Sequence, residues 1–234
     1  MNKLQEIISL ISQQEFPNKF NQYNHEDFFD KFKAQLKEVY IDSGISKAVI
    51  IAKGVDKVIK IPFNSMFSEC DYDDAVTYNM EPGKEPPNTD DFIYDFFCAT
   101  LSSGDGWDYC ALEMEIYDLA RQSELDLYFA EVNEWLDPTL RYPIYIQPRC
   151  KMLEEDDRFS DQELEKVSTY CRSKDITCFN PYWILDFISF YGETEFERLS
   201  RFLKENNITD LHGGNLGYLD GCPVIVDYAS FREW

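Results

Sequence analysis

Asp220-Gly221 separates two short runs, LGYL and CPVIVDY, in which the helical period is replaced by a period of two. An Asp-Gly pair between such runs is the strongest local signal for a tight hairpin turn, because both central positions must adopt positive φ. This part of the chain is therefore expected to fold as an antiparallel ribbon. A second ribbon is written upstream, where AVIIA and KVIKI flank the turn KGVD and Pro62 ends the second strand. Between and before the ribbons the period is mostly helical. HEDFFDKFKAQLKEVY sets Phe28, Phe29, Phe32, Leu36 and Val39 on one stripe. Residues 111–122, SDQELEKVSTYCRS, PYWILDFISFYG and TEFERLSRFLKENN read as helices, the second of these opened by Ser160 and Glu163 at capping-box spacing. LDLYFAEV reads as a strand and YPIYIQP as an extended run bounded by prolines. The order is helix, hairpin, insertion, helix, strand, helices, hairpin, without internal repeat. That order predicts an α+β fold.

The insertion is the segment of about 64–109, where DYDD, EPGKEPPNTDD and SSGDGWD are acidic and turn-rich around one aromatic patch, FIYDFF. It adds to a strongly acidic balance, 22 basic against 44 acidic residues and a net charge of −22. Such a charge repels nucleic acid and anionic membranes, so direct binding to either is not expected. A solubilising surface, a surface for a basic protein partner, and a mimic of nucleic acid remain. With 44% apolar and 16% aromatic residues among 234, the chain can bury a proper core. The N-terminal MNKLQEIISLISQQEF mixes charges with helical apolar spacing and does not read as a signal peptide, and YWILDFISFY is short and broken by Asp186. Seven cysteines, with no C-x-x-C pair, favour reduced thiols and a cytoplasmic location over a disulfide framework.

Chemistry-bearing residues gather around the second ribbon. DLHGGN contains Asp210, His212 and Asn215, and the hairpin returns the chain so that Asp227 of VIVDYAS converges with Asn215. Two oxygen ligands would then face one Mg²⁺ that completes its shell with phosphate and water. Asp210 lies just before, in position to accept a proton from a hydroxyl. Taken singly, Asp210 and Asn215 also read as turn caps, Gly213, Gly214 and Gly217 as backbone devices, and Lys60 of VIKIP as a solvated lysine on an alternating strand.

Jointly, the order of elements and these residues resemble the protein-kinase-like fold, and DLHGGN resembles the D-x-H-x-x-N form of the antibiotic and choline kinases. The resemblance covers roughly residues 40 to 230 apart from the insertion. It implies ATP and Mg²⁺ as cofactors, Asp210 as base, Asn215 and Asp227 as metal ligands, and Lys60 on the phosphates with a helix glutamate orienting it. Glu113 and Glu115 are both available. Glu113 borders the apolar face through Ile116, Tyr117 and Ala120, whereas Glu115 points about 160° away, so Glu113 is the candidate. The resemblance also implies two lobes: N-terminal helices over 1–40, an N-lobe over 41–143 that carries the insertion, and a hinge near Ile144 to Pro148 opening a minimal helical C-lobe over 144–234.

The chain departs from the family pattern in three places. There is no G-x-G-x-x-G, and the equivalent turn is DSGIS, with Ser43, Gly44 and Ser46 as candidate phosphate contacts. Ile208-Thr209 stands where the family has His-Arg or His-Gly. Only seven residues follow Asp227, so the segments that hold a peptide substrate are expected to be missing, as in small truncated kinase-like proteins of phages and bacteria. Two functions follow as expectations: a phosphotransferase with an unidentified acceptor, or a catalytically inactive pseudokinase acting as an acidic interaction protein or partner inhibitor.

Overall fold

The computed structural model describes residues 2–17, 20–21, 24–44, 46–64, 109–138, 140–155, 158–174, 176 and 180–229. The acidic insertion lies outside the described residues, apart from Asn64 and Tyr109 at its ends. Six helices and two antiparallel sheets are found among the described residues, an α+β composition. None of these helices is long and apolar enough to cross a membrane. The chain divides into two compact units. The first holds the described residues up to Cys110 together with Glu134–Ile146; the second holds Ala111–Asn133 and the described residues from Gln147 onward.

In the first unit, helix α1 (Lys3–Ser12) starts at a capping box, in which the Asn2 side chain accepts from the Gln5 amide and the Gln5 side chain accepts from the Asn2 amide. It buries Ile7, Ile8 and Ile11. Helix α2 (His25–Asp30) is shorter than its stripe predicts. The chain leaves the helix after Asp30, passes through a 3₁₀ turn at Lys33–Gln35, and turns at Glu38 with φ of 54°. Val39, expected on the helical stripe, opens β1 instead. Phe28 and Phe29 reach the core from α2 and Phe32 from the turn that follows it, joined there by Phe20 and Phe63. Continuing the helix would have removed a strand from the sheet.

That sheet has the order β1-β2-β3-β5-β4, from β1 (Val39–Ser43), β2 (Lys47–Ala52), β3 (Lys57–Pro62), β4 (Asn133–Glu134) and β5 (Tyr145–Pro148). The upstream hairpin is found where its turn signal placed it, with Val49 opposite Lys60 and Ile50 opposite Ile59. Ile50, Ile59 and Ile61 fill the core beneath. YPIYIQP, read as an extended run, supplies a strand, β5, whose alternate residues Tyr145 and Gln147 are buried, as in any strand with one face covered.

The second unit is built from α3 (Tyr109–Gln122, less its first two residues), α4 (Asp161–Ser173), α5 (Pro181–Tyr191) and α6 (Glu193–Glu205). Ser160 and Glu163 close the expected capping box at α4. Pro181 occupies the first turn of α5, and Gly192, at φ of 95°, ends α5 and begins α6 with no residue between. Trp183, Phe187, Phe196 and Leu199 from these two helices are fully enclosed. A three-stranded sheet, order β6-β7-β8, comprises β6 (Lys151–Met152), β7 (Leu216–Leu219) and β8 (Cys222–Ile225). Positive φ at both Asp220 (52°) and Gly221 (85°) gives the turn its expected hairpin geometry.

The expected strand LDLYFAEV is mostly irregular. Asp126–Tyr128 is a 3₁₀ turn, followed by one isolated parallel bridge, Phe129 to Ile225. The Ala130 amide donates to the Ile225 carbonyl at 2.9 Å, but the Ala130 carbonyl is taken by two side chains, Gln147 and Tyr228, so no ladder can propagate from it.

The closest backbone approach in this sheet lies at Gly217, where an added Cβ would sit 2.7 Å from the Lys151 carbonyl oxygen and 3.2 Å from a Val226 methyl. Gly217→Ala must push β6 from β7, and is expected to lower the unfolding free energy by about 1–3 kcal/mol. Urea denaturation of the variant beside the parent measures it; equal midpoints would mean that β6 yields without strain.

Candidate functional site

The loop from α6 to β7 is pinned at both ends by apolar residues. Asn207, at φ of 53°, ends the helix, and the Ile208 amide turns back to the Leu203 carbonyl at 2.9 Å. Ile208 and Leu211 are buried and leave the intervening Asp210 exposed. His212 then caps a 3₁₀ turn at Gly213–Asn215: its Nδ1 accepts from the Gly214 amide at 3.0 Å, and its carbonyl accepts from the Asn215 amide at 2.9 Å.

Asn215 is the centre of the arrangement. Its side chain is buried, and its Nδ2 donates to the Asp210 carbonyl oxygen at 2.7 Å. Its own carbonyl accepts from the Val226 amide at 2.8 Å and the Asp227 amide at 3.3 Å. One residue thus ties the Asp210 backbone to the backbone entering Asp227. With the amide nitrogen committed to Asp210, the oxygen Oδ1 is the end of Asn215 suited to a cation. Asp227 is half-buried.

Two further side chains hold the exit of β8, and neither carried a sequence signal. Gln147 Nε2 donates to both the Ala130 and the Val226 carbonyls, each at 2.8 Å, while its Oε1 is buried without a hydrogen-bond partner. A buried orphan acceptor costs about 1–3 kcal/mol, so the amide is kept for its two donated bonds. Tyr228 donates its hydroxyl to the Ala130 carbonyl at 2.9 Å and packs edge-on against Phe129 at 5.0 Å. Burial, reinforced by the charges of Glu113, Tyr117, Asp227 and Glu131, pushes the Tyr228 phenol well above its ordinary range, so it stays a donor.

The other sequence candidates distribute as follows. Glu113 is wholly buried on α3 whereas Glu115 is exposed, as their positions around the helix require. Lys60 stands on β3 of the first unit and is buried, which sets aside the reading of a solvated strand lysine. Ser43, Gly44 and Ser46 lie in the β1–β2 turn of that unit. There the Ser43 amide donates to the Asp42 carboxylate at 2.9 Å and the Gly44 amide to the Lys47 carbonyl at 3.1 Å. A phosphate at this turn would compete with both acceptors.

Among the described residues no group of three or more His, Cys, Asp and Glu is placed to hold a metal ion. A cation here would be held by few side-chain oxygens, Asn215 and Asp227, with phosphate and water completing the shell. That donor set suits Mg²⁺, which keeps several waters, better than zinc or calcium. No protein-family model matches the chain, and no curated protein matches it.

Tyr228→Phe is expected to cost only about 1 kcal/mol, because the Ala130 carbonyl keeps its bond from Gln147. Asn215→Ala removes the buried side chain that bonds the Asp210 carbonyl, and should cost more, about 1–3 kcal/mol. Thermal and urea unfolding of both variants rank them; the reverse order would show that Tyr228, not Asn215, holds this region.

Proposed function

We propose that the protein is a kinase-like nucleotide-binding protein that takes ATP with Mg²⁺ and transfers the γ-phosphoryl group to an acceptor hydroxyl. The supporting observation is Asn215, whose side chain donates to the Asp210 carbonyl at 2.7 Å and whose carbonyl accepts from the Val226 amide at 2.8 Å and the Asp227 amide at 3.3 Å. Asn215 Oδ1 and the Asp227 carboxylate would hold Mg²⁺, which when bound neutralises charge on the phosphates. Asp210, exposed beside them, takes the proton as the acceptor oxygen bonds to the γ-phosphorus, the bond to the β–γ bridging oxygen breaks, and ADP leaves. By the sequence resemblance, Glu113 would take the helix-glutamate role and Lys60 the phosphate-lysine role, and each is buried in its own unit. The described cysteines, Cys110, Cys150, Cys171 and Cys222, stand as thiols, which fits a reducing cytoplasm.

The second reading, a pseudokinase that engages a basic protein partner, is favoured by the net charge of −22. Melting in MgATP, read beside phosphoryl transfer, separates the two functions from one another and from neither. At a hundredfold over Kd, MgATP should add about 2.7 kcal/mol, and ATP without metal much less. Asp227→Asn should reduce that shift. Asp210→Asn should keep it and lower phosphoryl transfer by about 10²- to 10⁴-fold. A shift in the parent without any transfer would leave the pseudokinase; no shift at millimolar MgATP would remove nucleotide from the account.

A further inference from the structure

We infer that His212 is a positioning residue that aims the Asp210 carboxylate, held for that task by Gly214. This inference rests on the base role proposed for Asp210. Three observations on the loop carry it. His212 Nδ1 accepts the Gly214 amide at 3.0 Å, and an acceptor nitrogen carries no proton, so the neutral ring must hold its hydrogen on Nε2. That nitrogen faces Asp210 Oδ1 at 3.6 Å. The separation is longer than a hydrogen bond, so the contact is electrostatic until a small shift of the carboxylate closes it. Finally, a Cβ at position 214 would stand 2.8 Å from His212 Cε1 and 3.1 Å from Nδ1, so the ring occupies space that only glycine leaves open.

Stability does not explain the pair. Both side chains are more than half exposed, at 63% for His212 and 58% for Asp210, and an exposed pair of this kind contributes about 0–1 kcal/mol. What the arrangement does supply is direction. The Gly214 amide fixes the tautomer and the ring plane, the N–H of Nε2 draws Oδ1 to one side, and Oδ2 is the oxygen that takes the acceptor's proton. The ring is the movable end of a side chain, so displacing it should disturb the site with little effect on folding.

Two substitutions separate aiming from capping. The amide of His212→Asn reaches only as far as Nδ1, so it keeps the cap on Gly214 and loses the reach to Asp210. The amide of His212→Gln reaches as far as Nε2, so it keeps a donor beside Asp210 and loses the cap. For an aiming role, phosphate release from MgATP should fall about 10- to 100-fold in His212→Asn and Gly214→Ala, recover in part in His212→Gln, and leave MgATP affinity unchanged in all three. Turnover retained by His212→Asn and lost by His212→Gln would overturn the inference and leave a loop cap.

The second measurement is long-range ¹H–¹⁵N correlation of the imidazoles, and with only His25 and His212 present each is assigned by one substitution. His212 should show the Nε2–H tautomer, and its Nε2 signal should move in Asp210→Asn. The opposite tautomer, or no response to Asp210→Asn, refutes the contact. If the parent neither binds nor turns over MgATP, the proposed function fails by itself, and this spectrum still decides whether His212 and Asp210 are coupled.

Discussion

The buried amide of Asn215 is the constraint on which the second unit's candidate site depends. A polar side chain taken out of water must satisfy its hydrogen-bonding groups locally. Asn215 does so by binding the backbone five residues earlier while its carbonyl receives the backbone returning from β8. Remove it, and the bond that ties the Asp210 carbonyl to the residue receiving Asp227 is lost. The surrounding hydrophobic residues serve the same end: Ile208, Leu211, Leu216 and Ile225 are buried on either side of the polar turn and fix where the chain enters and leaves it.

Legibility in the sequence followed the range of the interactions. Both hairpins and the capping box at α4 could be read because a few adjacent residues decide them. The burial of Glu113 over Glu115 needed only helix geometry. Two readings failed for a common reason, that a distant partner decides the local structure. HEDFFDKFKAQLKEVY leaves the helix early because Val39 is needed in the sheet. LDLYFAEV forms a single bridge because Gln147 and Tyr228 take the Ala130 carbonyl. YPIYIQP, expected as an extended run, is a strand between β3 and β4, a place in the sheet that no local signal announces.

The candidate site was legible as a set of residue types and spacings, but not as a bonding pattern. The spacing of Asp210, Asn215 and Asp227 around an Asp-Gly hairpin could be read directly. The part played by Gln147 could not, since a glutamine in an apolar strand has no motif to announce it. Nor did any motif announce Tyr228. Its hydroxyl adds a directed bond to the Ala130 carbonyl where a phenyl ring would only pack.

The turn at Asp220-Gly221 has a practical consequence. It is exposed, and an added side chain at Gly221 would meet no atom within 4 Å. Strands β7 and β8 have four residues each, so the turn stands about 13 Å along the ribbon from Asn215. The ribbon therefore has a working end and a handle. A reporter placed there, such as a spectroscopic probe, would stand away from Asn215 and report on the two-residue turn that the positive φ of Asp220 and Gly221 defines.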